Sequence, residues 1–427
     1  MGLERVARLI AEVGHPERGL RGALVGGTNG KGSVVAMVRS VLNAAGLRVG
    51  TMPKPHLVSY RERIAIDGRS VAPDAFAAAI ARVLPAIDRV ASEVGPPTEF
   101  GALTAAAIGE LAARRVDLAV VEVGMGGRLD ATNILDLGVA AITNVQRDHE
   151  RYLGRTLTAI GGEKAAIIKP GNLAVTGATG RGLRPILDRC AELHAPLRRV
   201  GTRQAYRTTL RRAGWDGIVV DAGTPAGTLG ELRIGLLGGH QAQNAAVALA
   251  VLDALRDDGE RRGHHLPIDE AAIRRGMRDV RWPGRLELID SGALGWGRVL
   301  LDGAHNPDGA TALAAALGEL GLRRPALVLG AMRGKRVHAV LRALAPLDPR
   351  PVFTRVDDPG ALAPASLLRA WRRVAPNGDP GTTAADPADA MGRAAELRGG
   401  DDPVVVAGSL YLVGAVRGMI TGEAEAA

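Results

Sequence analysis

Apolar residues in the first part of the chain form short continuous runs that alternate with stretches of helical spacing. The runs at 117–123 and 138–145 are typical of strands buried on both faces of a parallel sheet. After a glycine-rich segment, Val34, Val38 and Val41 instead share one face of a predicted helix. This alternation predicts an α/β domain.

The pattern changes towards the C-terminus. Between about residues 172 and 237, β-prone segments punctuated by glycine predict antiparallel strands. Helical spacing then returns, and Trp282-Pro283-Gly284-Arg285 interrupts the chain. Predicted helices cover 104–114, 241–255 and 269–278, and later predicted strands cover 298–302, 326–329, 351–355 and 404–407. We therefore predict one domain over residues 1–281, with a β-rich part at about 172–237, and a smaller α/β domain over 282–427.

Composition excludes several classes of protein. Cys190 is the single cysteine of the 427 residues, and the N-terminus has no apolar signal segment, so neither a disulfide scaffold nor a secreted precursor is expected. The longest strongly apolar run, Val404–Val416, is shorter than a membrane span. These features predict a cytoplasmic protein that does not enter the membrane.

The net charge of +9 invites a comparison with nucleic-acid-binding proteins. The arginines are scattered among acidic residues, and four tryptophans, four tyrosines and three phenylalanines offer few platforms for stacking bases. A nucleic-acid-stimulated ATPase is therefore a remote alternative, and no nucleic-acid partner is expected. Lysine is scarce among the 54 basic residues, so each lysine is a candidate for a role that needs a primary amine. The lysines are Lys31, Lys54, Lys164, Lys169 and Lys335.

The glycine-rich segment at 26–33 carries the strongest chemical signal. Its glycines allow backbone N–H groups to converge on phosphate oxygens, and the helix that follows adds positive potential at its N-terminus. Lys31 would reach the terminal phosphates and the Ser33 hydroxyl would ligate Mg²⁺, although Gly32 separates them, unlike the usual Walker motif. The alternative is a glycine turn with an incidental lysine. The residues predicted to bind ATP are Thr28, Asn29, Gly30, Lys31, Gly32 and Ser33.

Polar residues also follow two of the predicted strands. Glu122 lies at the end of one strand, and Asp148 and His149 follow the next. Ligands gather at the carboxyl ends of strands in open parallel sheets. A carboxylate there is a reasonable Mg²⁺ ligand, whereas a lone histidine at such a position is usually structural.

Ten segments of the chain have a distinctive sequence. They are GTNGKGS at 27–33, PHLVSYRERI at 55–64, TEFGALTAAA at 98–107, VEVGMGGRLDATN at 121–133, DHERYLG at 148–154, EKAAIIKPG at 163–171, GHQAQNAAVA at 239–248, WPGRLE at 282–287, LDGAHNPDG at 301–309 and GSLYLVGAV at 408–416. In this order they resemble the folylpolyglutamate synthase and dihydrofolate synthase family of the Mur ligase superfamily. The resemblance extends over nearly the whole chain.

The resemblance implies a P-loop ATPase domain with a parallel sheet, followed by a smaller Rossmann-like ligase domain. ATP, the acceptor and the amino acid would meet in the cleft between them. It implies that two Mg²⁺ ions bind and that the metal ligands are Ser33, Glu122 and His149. It also implies that Lys164 is carbamylated. Further ATP contacts would come from Asn244, Arg285 and Asp302, and the residues assigned to catalysis would be Lys164, Asp302 and His305. The acceptor would contact Thr98, Phe100, Asp130 and Ala131.

The implied activity is that of an ATP-dependent acid–amino-acid ligase. The acceptor carboxylate would attack the γ-phosphate of ATP, and the amine of L-glutamate would displace phosphate from the acyl phosphate. Dihydropteroate and reduced folates are the implied acceptors. The alternative is the same chemistry on another aryl or pterin-like carboxylate. The resemblance also implies a monomer.

Two features depart from the family pattern. The family commonly has a serine close to Mg²⁺ where this chain has Lys54. An ammonium about 4 Å from a divalent ion would be repelled by about 8 kcal/mol at an effective dielectric constant near 20. We therefore expect Lys54 to point away, to lie neutral or to bind an anion such as the acceptor carboxylate or a phosphate. In addition, family members have a further helix ahead of the segment that matches Met1, so the alternatives are an upstream start or a different acceptor.

Overall fold

Three β-sheets organise the protein in a computed structural model that describes residues 3–423. The first sheet contains β1 Gly22–Gly26, β2 Val49–Met52, β3 Ala65–Ile66, β4 Arg69–Ser70, β5 Leu118–Glu122, β6 Gly138–Ile142, β7 Leu173–Thr176 and β8 Leu197–Arg199. The second contains β9 Arg207–Gly214, β10 Gly217–Thr224 and β11 Gly227–Ile234. The third contains β12 Glu287–Asp290, β13 Arg298–Leu301, β14 Ala326–Leu329, β15 Arg350–Phe353, β16 Thr382–Thr383 and β17 Val404–Ala407.

Helices connect and cover these sheets. They are α1 Glu4–Glu12, α2 Lys31–Ala44, α3 Pro73–Val94, α4 Glu99–Ala113, α5 Glu150–Leu153, α6 Leu157–Ala165, α7 Gly180–Glu192, α8 Gln241–Arg261, α9 Glu270–Asp279, α10 Pro307–Glu319, α11 Val337–Leu344, α12 Pro364–Val374, α13 Pro387–Leu397 and α14 Leu410–Thr421. Short 3₁₀ turns occupy Pro16–Gly19, Tyr60–Arg63, Ala131–Ile134, Gly292–Leu294 and Ala345–Leu347. Within residues 3–423, no helix has the length and hydropathy needed to span a bilayer.

The first sheet has the strand order β4-β3-β2-β5-β1-β6-β7-β8. Neighbouring strands are parallel along the series β2, β5, β1, β6, β7 and β8. The short strand β3 pairs antiparallel with β2 on one side and with β4 on the other. The central strands are buried along their whole length, as the continuous apolar runs predict. Because β5, β1 and β6 are adjacent, Glu122 pairs with Val25 while Gly26 pairs with Ile142. Three chain segments therefore leave the same edge of the sheet side by side.

Helix α8 forms the centre of one hydrophobic core. It packs against α2 and the first sheet on one side and against the small antiparallel sheet on the other. Apolar side chains surround it, so even Leu249 and Val251 are almost fully buried. The second sheet thus acts as a cover over α8, which would otherwise expose an apolar face.

The third sheet has the order β12-β13-β17-β14-β15-β16. All neighbouring strands are parallel except β12 and β13. Strands β13 and β17 are adjacent at its centre, so Asp302 and Gly408 leave the carboxyl edge of this sheet together. The α/β class predicted from the sequence is confirmed, with parallel strands in both large sheets.

The segment 172–237 departs from the sequence-based expectation. It contains the predicted antiparallel strands, but it also contains β7 and β8 of the parallel sheet and the helix α7. Residues Gly180, Gly182 and Pro185 lower the helix propensity of α7 and obscure its periodicity. Its buried residues Leu183 and Ile186 nevertheless hold it against the first sheet's core.

A pair of glycine substitutions tests the packing of α9 on α2. A Cβ at Gly276 would collide with the Val41 backbone, and the Ser40 hydroxyl donates to the Gly276 carbonyl at 2.8 Å. We expect Gly276→Ala to lower the free energy of unfolding by about 1–3 kcal/mol. Gly392→Ala is the control, because a Cβ there meets nothing within 4 Å and should stabilise its helix slightly. Urea unfolding followed by circular dichroism measures both, and equal midpoints would contradict the close contact.

Candidate active site

The loop between β1 and α2 has a conformation that requires glycine. Gly30 precedes α2 with φ of 80°, and Gly27 has φ of 141°. A side chain at Gly27 would collide with Thr143, and one at Gly30 would collide with Asn244. Lys31 begins the helix, so the backbone N–H groups of the first turn face the loop, as expected of a phosphate-binding segment.

Gly32 meets a different constraint. A Cβ at this position would lie 2.7 Å from Nε1 of Trp282, in the segment that joins the first part of the chain to the third sheet. The indole therefore rests directly on the first turn of α2. Packing against Trp282 accounts for the glycine between Lys31 and Ser33.

Polar residues after β6 hold the loop in place. The Thr143 hydroxyl donates to the Asn29 carbonyl at 2.6 Å, and Asn144 Oδ1 accepts from the N–H groups of Thr28 and Asn29 at 3.2 and 2.9 Å. Asn29 Nδ2 also donates to Gln146 Oε1 at 2.7 Å. The sequence patterns did not identify Thr143, Asn144 and Gln146 as residues that hold the loop. The feature that could have identified them is a run of polar residues directly after a buried strand, at the carboxyl edge of the sheet.

Two lysines converge on one carbonyl of the loop. Lys31 Nζ donates to the Gly27 carbonyl at 3.2 Å and to the Thr28 carbonyl at 3.0 Å, and Lys164 Nζ donates to the Gly27 carbonyl at 2.8 Å. Burial lowers the pKa of Lys31, although Glu122 opposes the shift. Burial and the neighbouring Lys31 lower the pKa of Lys164 to about 7. Lys164 therefore has an appreciable neutral amine fraction near neutral pH.

Glu122 lies on the other side of the loop, at the end of β5 as predicted. Its carboxylate is 4% exposed and accepts from the Lys54 backbone N–H at 3.3 Å. Burial raises the pKa of Glu122, while Lys31 and Arg285 oppose the shift. His149 adopts a left-handed conformation with φ of 51°, and burial together with Lys335 lowers its pKa. A neutral imidazole is the form that binds a metal.

The donors in this region suit a Mg²⁺ ion that also binds phosphate and water. Ser33, Glu122 and His149 line the same cavity. In residues 3–423, no group of three or more His, Cys, Asp or Glu side chains is arranged to hold a metal by itself. Mg²⁺ commonly uses one or two carboxylates and completes its coordination with substrate phosphates. The buried carboxylate of Glu122 fits that requirement.

The third sheet contributes Asp302 and His305 from the loop after β13. Asp302 accepts from the backbone N–H groups of Leu286 and Ala304 at 3.0 and 2.9 Å, so it connects this loop to the segment after Trp282. His305 Nδ1 lies 2.8 Å from the Gly303 carbonyl. That contact directs Nε2 of His305 towards the first sheet, where it lies 3.6 Å from Asp148 Oδ2.

Asp148 is the meeting point of the two large sheets. Its carboxylate accepts from Lys335 Nζ at 3.0 Å and from Asn306 Nδ2 at 3.1 Å, both residues of the third-sheet part of the chain. Burial alone would raise the pKa of Asp148, but hydrogen bonding by His305 and the Lys335 charge together hold it well below its usual range. Asn306 Nδ2 also donates to Asn29 Oδ1 at 3.0 Å. The sequence pointed to Lys335 only through the scarcity of lysine and did not point to Asn306.

These groups enclose a cavity of about 510 Å³ between the two large sheets. It brings together most of the residues predicted from the sequence. They are Thr28, Asn29, Gly30, Lys31, Gly32, Ser33, Lys54, Glu122, His149, Lys164, Asn244, Arg285, Asp302 and His305. Of the described residues with predicted roles, Thr98, Phe100, Asp130 and Ala131 do not line this cavity.

The four residues matched to the acceptor lie behind Lys54. Thr98 caps α4 by accepting from the Gly101 N–H at 3.1 Å, and Ala131 begins a buried 3₁₀ turn. Lys54 is joined to Pro55 by a cis peptide bond, and its side chain is directed inwards onto the Phe100 ring and towards Asp130. Burial lowers the pKa of Lys54 to about 8, although Asp130 opposes the shift. Of the alternatives for Lys54, the outward orientation is not found, and its contact with the acceptor stays a prediction.

Comparisons with known proteins agree with this arrangement. Models of the Mur ligase middle domain and of the Mur ligase glutamate ligase domain match residues 77–252 and 284–410. A dihydrofolate synthase/folylpolyglutamate synthase of Bacillus subtilis is 33% identical, with 97% of this chain and 94% of that protein covered. A probable bifunctional folylpolyglutamate synthase/dihydropteroate synthase of Haloferax volcanii is 36% identical over 97% of this chain, which spans about half of that protein (48%).

A solved structure gives the same result. Mycobacterium tuberculosis folylpolyglutamate synthase, complexed with ADP and AMPPCP, superposes with a TM-score of 0.89 at 34% identity. The match covers 98% of this chain and 95% of that one. The chain therefore belongs to the folylpolyglutamate synthase and dihydrofolate synthase family of Mur ligases.

Proposed function

We propose that the protein is an ATP-dependent ligase that adds L-glutamate to dihydropteroate, to reduced folates or to both, through an acyl phosphate. The observation that carries the proposal is the single cavity in which the P-loop of one sheet faces Asp302 and His305 of another. The printed names of the relatives supply the substrate class. The cytoplasm, where the sequence predicts the protein to be, contains both ATP and glutamate.

The proposal divides the chain into residues 1–281 and 282–427. The first part would bind the nucleotide, and the second would bring the amino acid to the acyl phosphate. Support comes from the hydrogen bond between the Leu286 N–H and Asp302, which ties the connecting segment to the second part. Arg285, in the same segment, lines the cavity and would contact ATP.

The first chemical step is attack of the acceptor carboxylate on the γ-phosphate. Phosphoryl transfer depends mainly on positioning and on neutralising the charge that spreads over the phosphate oxygens. The Lys31 ammonium and the N–H groups of the P-loop supply that charge and orientation. Asn244 donates to Gln241 Oε1 at 2.8 Å and packs on Gly30. Together with the Asp302 loop it would confine the rest of the nucleotide.

Mg²⁺ would be held by Ser33, Glu122 and His149, with a second ion near the carbamate of Lys164, and would supply charge neutralisation at the phosphates. Lys164 suits carbamylation because a neutral amine is the form that attacks CO₂. The nitrogen lone pair forms a bond to the carbon of CO₂, one C=O π bond opens with its electrons passing to oxygen, and the nitrogen releases a proton to solvent. Burial and the Lys31 charge favour the neutral amine, as the pKa of about 7 indicates.

The second step is attack of the glutamate amine on the acyl phosphate. His305 lies on the cavity wall with Nε2 facing Asp148, where its imidazole can orient the incoming amino acid. The contacts of Asp148 with Lys335 and Asn306 keep the two sheets together while the amine attacks. Walls from both sheets limit the access of water to the acyl phosphate.

Release of ADP tests the reaction class. We expect ADP release to require Mg²⁺, an acceptor carboxylate and L-glutamate together, because the acyl phosphate is productive only when an amine intercepts it. A coupled assay for ADP and mass spectrometry of the product, run with each component omitted in turn, provide the measurement. Rapid hydrolysis of ATP without an acceptor, or stimulation by DNA or RNA, would count against the ligase.

Lys164→Arg tests the carbamate. Arginine retains the positive charge but does not form the carbamate, so we expect kcat to fall by about 100- to 1,000-fold with little change in ATP affinity. Carbon-13 NMR after equilibration with labelled CO₂ should show a carbamate signal in the wild type and none in the variant. Lys169→Arg is the matched control, since Lys169 is partly buried, has a pKa lowered to about 8 by burial, and donates to Asn133 outside the cavity. Normal turnover of Lys164→Arg would remove this residue from catalysis.

His305→Ala tests the contribution of the third sheet. We expect kcat to fall by about 10²-fold, the usual cost of misplacing a reacting group, while ATP binding and thermal unfolding stay near wild type. His338→Ala, an exposed histidine on α11, serves as the control. A variant that loses its fold instead of its turnover would show that His305 is a structural residue.

A further inference from the structure

A second cavity lies beside the segment that joins the first and third sheets, since Trp282 and Pro283 form part of its wall. Its volume is about 320 Å³, at the lower end of the range for small-molecule sites. The wall also contains Arg39, Arg61 and Arg281, none of which lines the 510 Å³ cavity. We call this second cavity the arginine pocket.

The three guanidinium groups of the arginine pocket have no carboxylate partner. Within residues 3–423, none of the three forms an ion pair with an Asp or Glu side chain within 4 Å, and their side-chain hydrogen bonds go to backbone carbonyls. Arg61 donates to the Val71 carbonyl at 3.3 Å, and Arg281 donates to the Val280 carbonyl at 2.8 Å. Their positive charges therefore stay available to an anion.

The two carboxylates in the same wall are already engaged elsewhere. Glu62 accepts from the backbone N–H groups of residues 57, 58 and 59 at 2.8, 2.8 and 2.9 Å. Glu423 pairs with Arg417 at 3.1 Å, and Arg417 pairs with Glu287 at 3.2 Å as well. The pocket thus has an excess of positive charge that the carboxylates of its own wall do not neutralise.

Arg39 is unfavourable for the fold. It extends from α2, about two turns after Lys31, and its guanidinium lies where a Cβ on Gly68 would project. Its Nε is buried and has no hydrogen-bond partner, and a buried donor without an acceptor destabilises a protein. An apolar side chain of similar length would fill the same space without this cost. A positive charge that serves an anion accounts for the arginine better than folding does.

The arginine pocket adjoins the cavity in which the reaction is proposed. Four residues belong to the walls of both cavities, namely Lys54, Pro55, Arg285 and Leu410. A ligand whose reacting carboxylate lies at Lys31 can therefore extend past Arg285 towards Arg281. The part of the ligand that follows such a path meets guanidinium groups, so it should carry negative charge.

We propose that the arginine pocket binds the α-carboxylates of an acceptor that already carries γ-linked glutamate. This inference rests on the proposed function and distinguishes its two acceptor classes. A γ-glutamyl chain has an α-carboxylate on every residue, whereas dihydropteroate has only the carboxylate that reacts. Guanidinium groups bind carboxylates strongly because their N–H donors match the two carboxylate oxygens. The pocket therefore favours glutamylated folates over dihydropteroate.

Binding of two related ligands tests the proposal. The probes are pteroate, with one carboxylate, and pteroyl-γ-diglutamate, with three, and their affinities are measured by titration calorimetry in the presence of ADP and Mg²⁺. We expect Arg281→Met to weaken binding of the diglutamate by about 10-fold. This is the low end of the range for a hydrogen bond to a charged group, because Arg281 is exposed. Binding of pteroate should not weaken with it.

Three further variants control for folding and for loss of charge in general. Arg281→Lys keeps the charge and should retain most of the affinity for the diglutamate. Arg39→Met should weaken the diglutamate as well, yet unfold at a temperature no lower than the wild type, because it removes an unpaired buried donor. Arg278→Met is the matched control, since Arg278 is exposed on α9, pairs with Asp279 at 2.8 Å and does not line the pocket. It should bind both probes like the wild type.

Each outcome bears on the pocket separately from the reaction. Equal affinity for the diglutamate in the wild type, Arg281→Met and Arg39→Met would overturn the proposal, as would equal losses for both probes. If phosphate or glutarate binds in a manner that depends on Arg281 while the diglutamate does not, the pocket holds a free anion and its assignment to the acceptor is wrong. Binding of the diglutamate that depends on Arg281, in a protein that transfers no glutamate, would support the pocket and contradict the proposed reaction.

Discussion

The carboxylate of Asp148 is the contact on which the two-sided site depends. It extends from the first sheet and accepts from Lys335 and Asn306, which belong to the part of the chain that forms the third sheet. Asn306 in turn bonds Asn29 in the P-loop. A displacement of the third sheet would therefore break contacts with the nucleotide loop itself. Because the carboxylate stays ionised over the whole physiological range, this junction persists as pH changes.

Burial gives the lysines of the site different properties. Lys31 and Lys164 donate to the same carbonyl, and the charge of Lys31 contributes to the lowered pKa of Lys164. Lys54 lies beside the ring of Phe100 and the carboxylate of Asp130. Arginine would remain charged in all these places, since its guanidinium does not lose a proton. The presence of lysine at these positions in an arginine-rich chain agrees with a need for a side chain that can lose its proton.

Local patterns in the sequence predicted the parts of the structure that depend on short segments. The strand that ends at Glu122 and the loop around Lys31 follow from an apolar run and from glycine spacing, and both were located correctly. Asn144 was missed because its role arises only when β6 lies beside β1, and strand order has no local signature. The inward direction of Lys54 depends on the space beside Gly124, where a Cβ would lie 3.5 Å from the lysine chain and 2.9 Å from Asp130. Helix α7 was missed because glycine and proline mask its apolar spacing.

The contact between Gly32 and Trp282 links two parts of the molecule that are usually treated as separate modules. The indole fills the space where a side chain at position 32 would project, so the nucleotide loop and the connecting segment share one small volume. A P-loop grafted from another ATPase, with a larger residue at this position, would push the connector away from α2. Conversely, a new connector without a flat ring would leave a gap over the first turn of that helix. The two segments can therefore be exchanged between relatives only as a matched pair.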